Sequence, residues 1–305
     1  MKDFDLGRVL GKGRFATVYL AREKLKGFIV VLKVIYKSVL AKYQAERALR
    51  SEIEVQAHLR HPNIVRIFGY FHDADRIYLI LEYAMNGDIF NDVQSCRLDE
   101  HTAASYTAQV GRALHYMHRN YVIHRDIKLE NVYLNESGQI KVGDFGWSVH
   151  THKLKNDKVV GTLHYMAPEM LTPESNLYDH KVDNWALGIL LYEMLCSALP
   201  FYGETEEDLE RKILRGKLKI PPFVSPEAAD LMRRLLQKDP RKRMELDELE
   251  AHPWVVKQLR VRSLKYLCLK FVRESSKFFE YDLGKLPVKL RLEIQDDTIY
   301  RFYYQ

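Results

Sequence analysis

His124-Arg125-Asp126-Ile127-Lys128-Leu129-Glu130-Asn131 is followed, across a short predicted strand pair, by Asp144-Phe145-Gly146 and then by Ala167-Pro168-Glu169. Three ordered clusters at such separations are not a chance pattern. Asp144 and Asn131 carry hard oxygen donors suited to Mg²⁺, an ion that keeps several waters and takes few protein ligands. Upstream, Gly11-Lys12-Gly13-Arg14-Phe15-Ala16-Thr17-Val18 lies between two strand-like runs. Glycines there let backbone N–H groups approach phosphate oxygens that a Cβ would hold off, although a purely structural turn fits that stretch equally well. Val31-Leu32-Lys33 places a lysine among apolar residues fifteen positions after Val18. A buried strand rarely carries a lysine without a charge partner. Glu52, on the helical stretch that follows, is the candidate partner, and the pair would hold the α- and β-phosphates of a nucleotide in register. Taken singly, a glutamate such as Glu52 is more often just a solvated helix residue.

Working outward, residues 1–83 read as a small sheet carrying one main helix. β-branched runs fall at Phe28 to Ile35 and Ile77 to Leu81, and helical periodicity at Ala45 to Leu59. Residues 84–257 are mostly helical, with one-sided apolar patterns at Glu100 to Asn120, Lys181 to Leu195, Glu206 to Leu214 and Pro226 to Leu236. The fold class is therefore α+β and bilobal. Glu82-Tyr83-Ala84-Met85-Asn86-Gly87 is the expected hinge, since Asn-Gly favours a turn, and a cleft between two lobes is a natural ligand site. Residues 258–305 form a tail in which Val288 to Ile294 alternates strictly and Thr298 to Tyr304 can return as a second strand, predicting a β-hairpin.

The formal net charge is +6, but the 47 basic and 41 acidic residues are interspersed, which argues against nucleic acid as a direct ligand. Cys96, Cys196 and Cys268 are three and far apart, giving neither a disulfide framework nor zinc-ligand spacing. With no signal peptide and no apolar run long enough to span a bilayer, the expectation is a protein of the cytoplasm or nucleus, without a membrane partner.

Together the clusters resemble a eukaryotic protein kinase over about Phe4 to Val256. The resemblance implies ATP and Mg²⁺ as cofactors and a role for each matched residue. Lys33 and Glu52 form the phosphate-positioning pair. Asp126 accepts the substrate hydroxyl proton, and Lys128 steadies the γ-phosphate. Asn131 and Asp144 hold the metal. Leu10, Gly11, Lys12, Gly13 and Val18, the hinge residues Glu82 and Ala84, and Glu130 join Lys33, Asn131 and Asp144 around the nucleotide. Glu169 pairs with Arg243 in a structural bridge, Asp183 and Trp185 belong to the helical core, and Phe145 packs between the lobes. Lys128 at its position implies serine or threonine specificity. Glu130 and Glu193 match positions that receive a substrate arginine in basophilic members, implying protein substrates with basic motifs.

Gly69-Tyr70-Phe71-His72-Asp73, Tyr78 to Tyr83 and above all Asp144-Phe145-Gly146-Trp147-Ser148-Val149-His150 are similar to the Aurora mitotic kinases. That similarity implies work in spindle assembly, chromosome segregation or cytokinesis, at the spindle, centrosome or chromosomes. It also implies an activator on the small lobe, of the spindle-assembly-factor or inner-centromere-protein type. The chain departs from the pattern at Ala16, Leu129, His164 and Ala167. Most notably, Lys158 stands where the activation-segment phosphoacceptor is expected, with Asp157 beside it. Asp157 either substitutes in part for a phosphate that Arg125 would grip, or is a solvated turn residue. Thr162 is expected to contact Asp126 and Lys128. The competing reading for the whole chain is a pseudokinase or partner-binding scaffold.

Overall fold

The computed structural model describes residues 2–13, 15–151, 154–155, 160–172 and 177–259. Asp157, Lys158 and the expected C-terminal hairpin lie outside them.

β1 (Phe4–Lys12), β2 (Ala16–Glu23) and β3 (Ile29–Tyr36) are followed by α1 (Lys37–Lys42) and α2 (Glu46–His58), then by β4 (Ile67–His72) and β5 (Arg76–Leu81). The five strands form one antiparallel sheet in the order β1-β2-β3-β5-β4. β3 shows why: its β-branched run alternates between two buried faces. Val30, Leu32 and Val34 pack with Ala21 and Tyr78 on one side, while Ile35 packs with Leu40, Leu49 and Leu79 on the other. Lys33 shares the Ile35 face and so points toward α2. The small lobe was expected to carry one main helix. The additional α1 is a single short helix whose buried residue is Leu40.

The larger lobe begins with α3 (Phe90–Ser95) and α4 (Glu100–Arg119), the latter capped by Asp99, whose carboxylate accepts the Thr102 N–H. Three two-stranded ribbons follow, built from β6 (Val122–Ile123) with β9 (Val149–His150), β7 (Val132–Leu134) with β8 (Ile140–Val142), and β10 (Leu154–Lys155) with β11 (Leu177–Tyr178). Between β10 and β11 lies α5 (Pro168–Leu171). The chain closes with α6 (Lys181–Cys196), α7 (Glu206–Arg215), α8 (Pro226–Leu235) and α9 (Pro253–Leu259). α7 and α8 start at Thr205 and Ser225, both side-chain caps, and Pro226 sits where a missing N–H costs nothing.

α6 is buried from Lys181 through Leu195, an all-round burial that marks it as the axis of the lobe. α4 and α8 pack on it, and Gly188 makes the α8 approach possible. A Cβ at Gly188 would stand 2.8 Å from Leu236 Cδ2 and 2.9 Å from Leu235 Cβ. The bridge between Arg243 and Glu169 is bidentate, at 2.6 and 2.9 Å, and Arg243 also donates to the carbonyls of Lys181 and Gln237. It is almost wholly enclosed and ties α5 to the lobe, and each of the three guanidinium nitrogens has a partner.

The two lobes are joined by the segment after β5. Asn86 N–H donates to Leu134 O at 3.0 Å and Leu134 N–H to Gly87 O at 2.8 Å, lashing the connector to β7. Gly87 takes a φ of 74°, in keeping with the turn expected at Asn86-Gly87.

Candidate active site

Lys33 leaves the middle of β3 and meets Glu52 of α2, Nζ to Oε1 2.7 Å, with Asp144 Oδ1 at 3.6 Å on its other side. Burial works against the ammonium, but Glu52 and then Asp144 more than offset it, and Lys33 stays charged well above the ordinary lysine range. Asp144 is held below the usual carboxylate range. Its partial enclosure opposes ionisation, and Lys33, the Gly146 N–H, His124 and Lys128 together outweigh it. Asp144 adopts a φ of 56° and Arg125 one of 70°, left-handed conformations that non-glycine residues keep only when their surroundings impose them. Phe145, next to Asp144, is fully buried and meets His124 edge-on at 5.1 Å. That seating aims the Asp144 carboxylate at Lys33.

The second half of the site hangs on α6. The carboxylate of Asp183, 0% exposed, accepts the N–H groups of His124 and Arg125, each at 2.9 Å, and lies 2.9 Å from His118 Nε2. Burial keeps His118 neutral despite the pull of Asp183. Asp183 stays ionised against its own burial because His118 and the His124 N–H bind it. The backbone entering Asp126 is thus fixed by a buried charge on a buried helix. Asp126 then gathers three partners: Asn131 Nδ2 donates to its Oδ2 at 3.0 Å, Thr162 Oγ1 to its Oδ1 at 2.8 Å, and Lys128 Nζ lies 3.0 Å from Oδ2. Lys128 also donates to Thr162 Oγ1 at 2.9 Å, closing a triangle. Gly161 holds a φ of 100°, and a Cβ there would stand 2.5 Å from Arg125 O, so the residue that presents Thr162 has to be glycine.

A cleft of about 520 Å³ opens beside Lys33, Glu52 and Asp144; Asp126 and Lys128 are not in its lining. Leu10, Gly11, Val18, Lys33, Glu82, Ala84 and Asp144 line it. Lys12, Gly13, Glu130 and Asn131 do not. Lys12 and Gly13 sit exposed at the far end of β1, where the strand has run past the cleft, and Glu130 faces solvent. Asn131 is buried with its amide nitrogen committed to Asp126, both to the carboxylate and to the main-chain oxygen. The carboxylate of Glu82 is occupied by Lys141 at 2.6 Å and the Arg66 N–H at 3.1 Å, so this residue offers a ligand its main chain. Tyr133, Val31 and Gly143 also line the cleft and were not among the expected residues. Tyr133 lies two positions after Asn131, in the middle of the three-residue strand β7. Burial, and then the charges of Asp144 and Asp88, push its phenol up to about 12.

Asp144 and the side-chain oxygen of Asn131 are hard oxygen donors, a set that fits Mg²⁺. No group of three or more His, Cys, Asp or Glu able to hold a metal occurs among the described residues. Glu193 is buried and accepts the hydroxyl of Tyr165. Burial and the nearby Glu130 push its carboxyl up even against that hydrogen bond. Arg125 donates from Nε to Trp147 O at 2.6 Å and from its terminal nitrogen to Tyr178 OH at 3.2 Å. No helix among the described residues is long and apolar enough to cross a membrane.

The protein kinase domain family matches residues 4–255. Aurora kinase A-B of Xenopus laevis is 48% identical over 258 residues, which cover 84% of this chain and 63% of that protein. Aurora kinase A-A of the same species is 47% identical over 263 residues, covering 86% and 64%. The chain thus spans less than two thirds of those two relatives. Serine/threonine-protein kinase Aurora-1 of Arabidopsis thaliana is 48% identical over 259 residues, with 84% of this chain and 87% of that protein covered. The two-sided cleft, the triangle on Asp126 and these matches lead to one assignment: the chain belongs to the protein kinases, as a serine/threonine kinase of the Aurora type.

Proposed function

We propose that this chain transfers the γ-phosphoryl group of ATP to serine or threonine hydroxyls of protein substrates. The observation that carries the reading is the Lys33 bridge to Glu52 and Asp144, all three of which line the cleft, together with the closed triangle of Asp126, Lys128 and Thr162. Lys33 binds and orients the α- and β-phosphates, and Glu52 fixes its position. Asp126 accepts the proton of the attacking hydroxyl, with its orientation set by Asn131 and Thr162. Lys128 moves from Thr162 toward the incoming γ-phosphate as negative charge develops there. Mg²⁺, held by Asp144 and Asn131, supplies positive charge along the phosphate chain. The work of the protein is positioning and charge placement.

Glu130 and Glu193 support a basic residue upstream of the phosphoacceptor. An arriving guanidinium would supply Glu193 with the counter-charge it lacks. The similarity to Aurora kinases supports a role in cell division, an activator on the small lobe, and residence in the cytoplasm or nucleus with recruitment to spindle, centrosome or chromosomes. Asp157 supports activity without activation-segment phosphorylation.

The test is transfer from ATP and Mg²⁺ to a peptide library, using phosphatase-treated protein and its Asp126→Asn variant. Transfer to serine or threonine preceded by arginine is expected, reduced about 10²- to 10⁴-fold in the variant. Nucleotide binding without transfer, persisting when a small-lobe activator peptide is added, would make the chain a scaffold.

A further inference from the structure

Arg125 is held at both of its ends by one short stretch of chain. Its main-chain N–H goes to Asp183 Oδ1 of α6 at 2.9 Å, and a terminal guanidinium nitrogen donates to the hydroxyl of Tyr178, on β11, at 3.2 Å. Its Nε reaches the other way, to Trp147 O at 2.6 Å, in the turn that follows Asp144. Nε and the terminal nitrogens of a guanidinium lie in one rigid plane. Bonds to two separate elements fix the orientation of that plane, whereas one bond leaves it free to turn. Tyr178 is 4% exposed, its ring is part of the core of the large lobe, and its strand pairs with β10, Leu154 opposite Tyr178 and Lys155 opposite Leu177. A ring seated in this way offers its hydroxyl from a fixed point. Arg125 needs such a point, because its φ of 70° is a conformation that a non-glycine residue keeps only under restraint. Asp126 is the next residue in the chain, so the same guanidinium stands between the proton acceptor and the turn that carries Asp144.

We propose that Tyr178 is a positioning residue for phosphoryl transfer: through Arg125, its hydroxyl holds the Asp126 loop and the Asp144 turn in fixed relation to each other. The inference rests on the kinase reading of the site. The anchor forms when the large lobe folds and needs no modification of the chain. Phenylalanine at 178 keeps the ring in the core and removes only the hydroxyl, so the Arg125 side chain retains Trp147 O alone and the turn loosens.

The test compares the full unaltered chain with Tyr178→Phe, Arg125→Met and the double variant, all assayed below the first transition of their melting curves. Trp185 and Trp254 are 0% exposed and Trp147 is 47% exposed, so acrylamide quenching of the intrinsic fluorescence reads Trp147 without a turnover measurement. Tyr178→Phe is expected to raise the quenching constant, and to add nothing once Arg125→Met is present. In transfer from ATP and Mg²⁺ to a serine peptide with an upstream arginine, kcat of Tyr178→Phe is expected to fall about tenfold, the loss of one hydrogen bond to a charged group. KM for ATP should not move, because Lys33 and Glu52 are untouched. In the Arg125→Met background the same change should lower kcat by less than about twofold, since the hydroxyl has no guanidinium left to hold. Quenching or kcat of Tyr178→Phe equal to that of the unaltered chain would overturn the proposal, as would an equal loss of kcat with and without the Arg125 guanidinium. Quenching that responds as expected in a chain that transfers no phosphate would support the coupling and overturn the kinase reading instead.

Discussion

At the residue scale the site turns on one hydroxyl. Thr162 Oγ1 donates to Asp126 and accepts from Lys128, so it keeps an acid and a base of opposite charge at a fixed separation. Valine at 162 has the same shape and neither hydrogen bond. Hydrogen bonds to charged groups are worth about 1.5–3 kcal/mol, so kcat of Thr162→Val should fall roughly tenfold to a hundredfold, with Thr162→Ser close to the unaltered chain. Steady-state assays on one peptide decide it, and equal losses in both variants would show that the hydroxyl is not the cause. The pairing of Lys33 with Glu52 was legible because a lysine in a buried strand needs a charge partner, whereas the contacts of Thr162 with Asp126 and Lys128 were implied by the family resemblance. Tyr133 was not legible, because three residues of strand are too few to reveal an alternation. The partner of Glu193, Tyr165, is 28 residues away in sequence, and local pattern carries no sign of it.

At the scale of elements, long periodic helices were well marked and short ones were not. The expected helix over Glu100 to Asn120 is observed as Glu100–Arg119, and that over Pro226 to Leu236 as Pro226–Leu235, each with a polar cap at its start. α1 has six residues, too few for a period to show, and its buried contact is a tertiary one. Where α6 and α8 cross, packing should override propensity. Alanine normally improves a helix by about 1 kcal/mol over glycine. At Gly188 the new Cβ would press on Leu235 and Leu236, and overpacking of that kind costs about 1–3 kcal/mol. Gly188→Ala is therefore expected to lower Tm; a rise would mean that the two helices separate without penalty.

For the whole molecule, acid is the natural stress. His118 is buried with its proton affinity depressed, facing Asp183, His180 and His115. A depressed folded-state value means the unfolded chain takes up the proton first. The stabilising contribution of His118 is then complete above the ordinary histidine value of 6.5 and is lost as pH falls below it. Between pH 7 and pH 5, Tm of the unaltered chain should drop more than that of His118→Gln, which keeps a donor for Asp183 but no longer titrates. His61 shifts in the same direction, so the variant's slope is reduced and not abolished. Identical slopes would remove His118 from the account.

Asp183 has one more consequence, visible in deuterium uptake. The main-chain protons of His124 and Arg125 end on a carboxylate with no exposure, carried by the helix that the whole lobe encloses. They should exchange only when the entire lobe opens, as slowly as the amides of α6 itself, while β1, exposed along most of its length, exchanges by local fraying. A mass-spectrometric time course on the free protein should therefore find its slowest loop beside Asp126, and any further slowing caused by a nucleotide should register in the strands above it.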